Sequence, residues 1–397
     1  MEVNQNFSGT LFLAWLLIDL IATYSVIHYL RGLVPLLPAW EAPPAAILIA
    51  IKGVSENTAP FLAALCGQKY PKFRLIFSLE SAADPAFAVV EKLRRKFAGR
   101  IGIELVVAGR ATERAQKVHN HLAALKVLHA DDALVVFADA DIAPHSDWLA
   151  QLLRPIVLGE VAASTGYRWI LPADRHLPSL IASAVDNGIA TSARSFRWNL
   201  CWGGSTAVAR AALDAIDLPT VWARAATDDL TLTAALRAGN YKINAPLRVL
   251  VPSPVKHTWG SLFSFARRQY LFVRTYTPRH WLLCGATLCL PTLAAAVAVA
   301  GALAGSPWAP QMIIASFVLL QVRVQARRRI ADQVLPAGAI DPARASLVFA
   351  CWAWPLIHLV HLAAFLASVI GRRYTWAGID YRLDGGATVV EGRAGDA

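Results

Sequence analysis

Apolar positions along this chain follow two regimes. Near both ends they run on almost without interruption, while the middle shows short bursts separated by periodic segments. Thr10 to Leu30 (TLFLAWLLIDLIATYSVIHYL) is long enough to cross a hydrocarbon core of about 30 Å at about 1.5 Å per residue. The continuous regime returns over Trp281 to Ala304, over the shorter Trp308 to Val322, and over Ala345 to Ile370. In the middle, AAILIAI (Ala45 to Ile51), FRLIFSL (Phe73 to Leu79), IELVVA (Ile103 to Ala108) and ALVVFA (Ala133 to Ala138) read as buried strands. Stretches between them, such as ENTAPFLAALCGQ and AVVEKLRRKFA, carry apolar residues at helical spacing. That alternation predicts an α/β fold whose parallel sheet is covered by helices on both faces. Ligands of such sheets sit outside the carboxyl ends of the strands, where Lys52, Gly53, Glu80 and an acidic pair after Phe137 fall.

The flanks of the apolar runs suggest an orientation. MEVNQNFSG has no basic residue, which argues against a cleaved signal peptide, and Arg31 directly follows the first run. The positive-inside rule then puts the amino terminus outside and residue 31 onward in the cytoplasm. Asp19 is costly in lipid and either pairs with another segment or marks a polar contact. The second and third runs predict a hairpin that ends at the basic RVQARRR (Arg323 to Arg329), in the cytoplasm. Ala345 to Ile370 is interrupted by Pro355 and has arginines on both sides, so a re-entrant or interfacial helix pair competes with a single crossing. His358 and His361, at i and i+3 there, read as packing histidines, since no third metal ligand accompanies them. WGSLFSFARRQYLFVRTY (Trp259 to Tyr276) reads as an interfacial amphipathic helix. The divisions expected are a membrane helix and linker (1–40), a soluble domain (41–258), the interfacial helix (259–280), a membrane region (281–373) and a cytosolic tail (374–397).

Composition agrees. The 397 residues are 56% hydrophobic and 16% charged, against about 25% charged in ordinary soluble chains. The net charge of +11 sits largely in arginines flanking the apolar runs, which favours the anionic cytoplasmic leaflet over nucleic acid. Five scattered cysteines, with no CxxC, argue against a disulfide framework and for a reducing compartment. The weight on Ala and Arg suggests a bacterial source, hence an inner membrane with the soluble domain in the cytoplasm.

The candidate chemistry is acidic. VVFADADIAP puts Asp139 and Asp141 two apart past a buried strand, so both carboxylates can face one hard cation, Mg²⁺ or Mn²⁺, whose coordination substrate phosphates complete. The plainer reading is a solvated acidic turn. Asp228 and Asp229 begin a helix in ATDDLTLTAALRAGNY, where they suit the helix dipole or could supply a general base. Neither pair decides the matter alone.

Taken together, the residues resemble a glycosyltransferase of the GT-A fold, of the family 2 and family 21 type, most similar to the ceramide glucosyltransferases. The resemblance runs through IKGV (51–54), ESAADPA (80–86), QKVHN (116–120), ADAD (138–141), TGYRW (165–169), GGST (203–206), TDD (227–229) and YTWAGIDYRL (374–383). It implies a GT-A nucleotide-sugar-binding domain with a mostly parallel sheet, plus N-terminal and C-terminal membrane helices. By the same resemblance Asp139 and Asp141 hold the metal and diphosphate, and Asp229 is the catalytic base. Lys117 and Asn120 match an element near the nucleotide or sugar, and Lys52 belongs on the donor side. Gly204 and Ser205, with Asp228, belong on the acceptor side.

Two departures stand out. The first aspartate motif, which contacts uracil or ribose in that family, is replaced by Glu80 or Ser81, with Asp84 close by. The (Q/R)xxRW element survives only as FARRQYLFVR (Phe265 to Arg274), with Gln269 and Tyr270 on the acceptor side where Arg and Trp are expected. Arg267, Arg268 and Arg274 remain for pyrophosphate, whose oxygens a guanidinium fork matches well. The implied activity is inverting transfer of a hexose from a UDP-sugar, UDP-glucose first, to a lipid hydroxyl, ceramide first. Rival readings are another lipid acceptor such as a hopanoid, a processive polysaccharide synthase, and a degenerate non-enzymatic scaffold.

Overall fold

The computed structural model describes residues 2–33, 42–192, 195, 196 and 198–394, so most of the linker expected before residue 41 lies outside it. In chain order the elements are α1 (Glu2–Arg31), β1 (Ala45–Ala50), α2 (Thr58–Cys66), β2 (Phe73–Leu79), α3 (Pro85–Lys96), β3 (Gly102–Val107), α4 (Gln116–Leu125), β4 (Leu134–Asp139) and α5 (Trp148–Val157). Next come β5 (Ala163–Thr165), β6 (Tyr167–Pro172), α6 (Leu177–Ala190), β7 (Ser205–Ala209), α7 (Arg210–Ala215), α8 (Leu218–Val221), α9 (Asp229–Ala238), β8 (Ile243–Asn244) and β9 (Leu250–Val255). Four helices follow, α10 (Trp259–Tyr276), α11 (Pro278–Leu303), α12 (Ala309–Val334) and α13 (Ala337–Ala367), and then β10 (Arg373–Trp376), β11 (Ile379–Asp384) and β12 (Ala387–Arg393).

Two compact units form. One gathers the described residues of Met1–Val34, Trp169–Ala193 and Pro254–Ile370; the other gathers those of Pro35–Arg168, Arg194–Ser253 and Gly371–Ala397. The second unit is built on a sheet of order β3-β2-β1-β4-β7-β5-β8. Strands β1 to β4 run parallel, as their apolar runs and intervening helices predict. Strand β7 is antiparallel to both its neighbours, β4 and β5. Ile47, Ile49, Phe77, Val136 and Trp148 are buried in the core between sheet and helices. The tail expected over 374–397 folds, in its described residues, into an antiparallel sheet of order β10-β11-β12 within this unit.

In the other unit α1, α11, α12 and α13 are each long and apolar enough to cross a membrane. Their outward side chains are apolar, with Leu13 69%, Trp352 74% and Leu303 86% exposed, which suits a hydrocarbon solvent and makes the protein membrane-associated. Asp19 finds the partner its cost demands: Arg323 lies 2.9 Å away, and Arg323 also donates to the Asp19 carbonyl and to Thr23. The RVQARRR segment lies within the second half of α12, and its first arginine is turned to this pairing.

Pro355 does not split the last segment into a pair of helices, because α13 is continuous through it. A proline leaves the carbonyl four residues back without its helical donor. Here that carbonyl, on Cys351, accepts instead from the Gln321 side chain of α12 at 3.3 Å. His361 pairs with Tyr270 and His358 with the Leu288 carbonyl, both as packing residues.

At the amino-terminal edge of the sheet, Arg74 on β2 donates through Nε to both oxygens of Asp132 and also pairs with Glu104. Burial alone would raise the pKa of Asp132, 3% exposed, but the Arg74 fork and the His129 N–H hold it below the usual carboxylate range. The depressed value means that its stabilising contribution is present above the unfolded pKa and is lost as pH falls through the folded one. Arg74→Met strands that charge and should cost about 3–5 kcal/mol, seen as a lower unfolding temperature in detergent. Adding Asp132→Leu should recover much of the loss, and no recovery would refute the pairing argument.

Candidate active site

At the carboxyl end of β4, Asp139 meets the ammonium of Lys117, which projects from the first turn of α4, at 2.7 Å. The same ammonium reaches Asp228, just before α9, at 2.9 Å and donates to the Gly203 carbonyl at 3.3 Å. Three segments distant in sequence are thus pinned at one nitrogen. Burial would lower the pKa of Lys117, but Asp139 and Asp228 together push it well above the ordinary lysine range. Burial opposes ionisation of Asp228 as well, and Lys117 reverses this, holding that carboxyl below its usual value.

The floor of the cluster is dry. His121, one turn beyond Lys117 on α4, is fully buried with its Nε2 3.7 Å from Asp228, and it packs against the rings of Phe137 and Trp222. Burial lowers its pKa to about 4, so it is neutral at pH 7. The Trp222 indole N–H donates to the Asp228 carbonyl at 3.2 Å.

The other two carboxylates behave differently. Asp229 accepts the Leu230 N–H at 2.7 Å and the Gly203 N–H at 3.3 Å, yet burial first and the Asp228 charge second push its pKa up to about 6. Asp141 is exposed at the surface, yet desolvation of its carboxyl and then the Asp139 charge raise it to about 6 against the pull of Arg168 and Lys117. Asp139 and Asp228 are thus salt-bridged to one ammonium, while Asp141 and Asp229 are raised towards neutrality.

These groups converge because residues 203 and 204 lack side chains. A Cβ on Gly203 would fall 2.4 Å from Asp228 and 2.8 Å from the Lys117 ammonium. One on Gly204 would fall 2.4 Å from the Trp202 ring and 2.6 Å from Asp139. Ser205 is fully buried and accepts the Trp148 indole N–H at 2.9 Å, so its hydroxyl is engaged inside the fold.

On the β2 side, Asp84 is consumed by backbone, accepting from Ala86 at 2.8 Å as the cap of α3 and from Gly53 at 2.9 Å. Ser81 accepts from Ala83. Glu80 is the acidic side chain left for a ligand, with Arg393 at 2.8 Å, Arg110 at 3.6 Å and Lys52 at 3.8 Å. Asn120 is buried, donating to the Ser78 carbonyl and accepting from Gln116.

The α10 residues belong to the helical unit. Arg267 donates to the Ala367 and Ile370 carbonyls, and Arg274 to those of Ser368 and Val369. Both satisfy the orphan acceptors at the end of α13 and complement its dipole. Arg268 lies 5.8 Å from the Phe265 ring, Gln269 is exposed, and Tyr270 is buried against His361 and Phe365.

The donor chemistry of Asp139 and Asp141 fits a hard divalent cation. Both are carboxylates two residues apart at one strand end, a hard-oxygen pair that a divalent cation can share. Among the described residues no third acidic, His or Cys side chain joins them in a metal-binding group, so substrate and water oxygens would complete the shell. His121, Trp222 and Arg393 escaped the sequence reading. His121 alone had a signal, lying four residues after Lys117 and hence on the same helix face.

Gly204→Ala should lower transfer at least about a hundredfold by displacing Asp139 or Trp202, while circular dichroism stays native. Transfer within twofold of wild type (~0.4 kcal/mol) would show that the close packing at residue 204 has no catalytic weight.

Among solved structures, a mannosyltransferase PcManGT from Pyrobaculum calidifontis in complex with GDP-Man and Mn²⁺ is similar at 16% identity, over 91% of this chain and 99% of that one, with a TM-score of 0.49. TarS 1–349 of S. aureus in complex with UDP-GlcNAc is similar at 12% identity, over 88% and 100%, with a TM-score of 0.39. The sequence profile of glycosyl transferase family 21 matches residues 12–389, nearly the whole chain, and the protein belongs to that family of glycosyltransferases.

Proposed function

We propose that the protein is an inverting transferase that moves a hexose, glucose first among candidates, from a UDP-sugar to the hydroxyl of a membrane lipid, with ceramide the preferred acceptor. The observation that carries this reading is the split among four carboxylates around one buried ammonium. Lys117 pairs with Asp139 and Asp228, while Asp229 rises to about 6 and stays mostly deprotonated at neutral pH, as a general base requires.

In this mechanism Asp229 accepts the proton of the lipid hydroxyl as its oxygen bonds to C1 of the sugar. The bond from C1 to the nucleoside diphosphate breaks on the opposite face, which inverts the anomeric centre. Asp139 and Asp141 would hold Mg²⁺ or Mn²⁺, which when bound neutralises the diphosphate leaving group. Glu80 and Lys52 line the nucleoside end. Lys117 keeps Asp139 and Asp228 in place, and the buried rings of Phe137 and Trp222 exclude water behind them. A lipid acceptor suits a chain with four long apolar helices, and the basic residues Arg31 and Arg327 to Arg329 favour, by the positive-inside rule, a catalytic domain on the cytoplasmic side of a bacterial inner membrane.

The direct test is transfer from radiolabelled UDP-sugars into lipid extract by the purified protein in detergent. EDTA should stop the reaction and added Mg²⁺ or Mn²⁺ should restore it; labelling only of polymer would favour a synthase. Asp229→Asn should lower turnover by about 10²- to 10⁴-fold while UDP-sugar binding persists, and retention of most turnover would sink the base assignment. Wild-type turnover should fall as pH drops through about 6, because the raised carboxyl of Asp229 takes up a proton there. A rate flat from pH 7 to about 5 would contradict the assignment.

A further inference from the structure

We propose that Arg393, on the last strand of the chain, is a positioning residue of the donor site, holding Glu80 and the β3–α4 loop in the arrangement that receives the nucleoside diphosphate. This rests on the transferase reading above.

The Arg393 side chain is only 9% exposed and is committed in several directions. Its Nη1 donates to Glu80 at 2.8 Å, and its Nη2 donates to the Ala111 carbonyl at 2.8 Å and to Gln116 Oε1 at 3.0 Å. Gln116 is the hub of that loop, since Oε1 also accepts from the Ala111 N–H while Nε2 donates to the Gly109 carbonyl and to Asn120. The next residue is Lys117. One guanidinium therefore spans the Glu80 carboxylate and the segment that launches the central ammonium, which a planar fork can do and a point charge cannot.

The neighbouring contacts agree. Val390 on β12 donates its N–H to the Thr112 carbonyl at 3.3 Å, and Thr388 donates to the Arg224 carbonyl at 2.8 Å, four residues before Asp228. Tyr381 on β11 accepts the Gln116 N–H through its hydroxyl. The short C-terminal sheet thus fastens both loops that lead into the carboxylate cluster. The other cations near Glu80 cannot replace Arg393, because Lys52 and Arg110 are 41% and 64% exposed and stand 3.8 and 3.6 Å away. Glu80 Oε2 is buried and, among the described residues, accepts no hydrogen bond, with the Lys52 ammonium 3.8 Å away, so Arg393 is the cation that fixes this carboxylate.

The experiment measures UDP binding by calorimetry and steady-state transfer with full-length wild type, Arg393→Gln and Arg393→Lys. Arg393→Gln should weaken UDP binding and raise KM for the UDP-sugar about tenfold, with the acceptor KM and the saturating kcat little changed. Arg393→Lys should restore part of the loss, and it carries the comparison alone if Arg393→Gln does not fold. Combining Arg393→Gln with Glu80→Gln should cost less than the sum of the two single changes. Unchanged UDP affinity, or equal losses in donor and acceptor affinity, would overturn the proposal and leave Arg393 a staple for the tail. If wild type binds no nucleoside diphosphate, the transferase reading itself falls, and this inference with it.

Discussion

Asp139, Asp228 and the backbone at Gly203 come from three separate stretches of chain, and the Lys117 ammonium touches all of them. Each of these charges would cost several kcal/mol to bury alone, so none is tolerable without the others. The pairing sets the conditions for everything around it. It demands glycine at residues 203 and 204, because any side chain there would occupy the space of the ions. It also leaves two more carboxylates, Asp141 and Asp229, whose pKa values desolvation first and a neighbouring carboxylate second lift more than the nearby cations lower them. The reactive character of the site is thus a by-product of how its structural charges are compensated.

The arginines are distributed by a similar economy. Those of α10 close the carboxyl end of α13, whose carbonyls have no helical donors. Arg74 serves the amino-terminal edge of the sheet, away from the site, and Arg323 neutralises an acid on α1. A guanidinium that fits diphosphate in principle is thus often engaged elsewhere, and its presence in a motif is weak evidence of its task.

The sequence made the first half of the sheet legible because β1, β2 and β4 are buried parallel strands, and such strands appear as unbroken apolar runs; FRLIFSL coincides with β2 residue for residue. It also exposed Asp139 and Asp229, since acidic residues at a strand end and a helix start are conspicuous. Strand β7 follows the glycine pair without periodic warning, and its antiparallel pairing depends on long-range contacts that no local pattern encodes. His121 looked like an ordinary apolar-face residue. Pro355 suggested a break because the donor that compensates it, Gln321, lies on another helix. Arg393 was hidden for the same reason: its partner Glu80 is separated from it by most of the chain.

Strands β10 to β12 follow the last apolar helix yet fold into the unit that contains β1 to β4. The chain leaves this unit after Ser253 and rejoins it at Gly371, and the interval holds α11, α12 and α13, each long and apolar enough to cross a membrane. Glu80 and Arg393 are 313 residues apart, so the ion pair between them joins two pieces of one folded unit that the whole helical stretch separates along the chain. The sheet unit is therefore incomplete until the segment after those helices has returned to it.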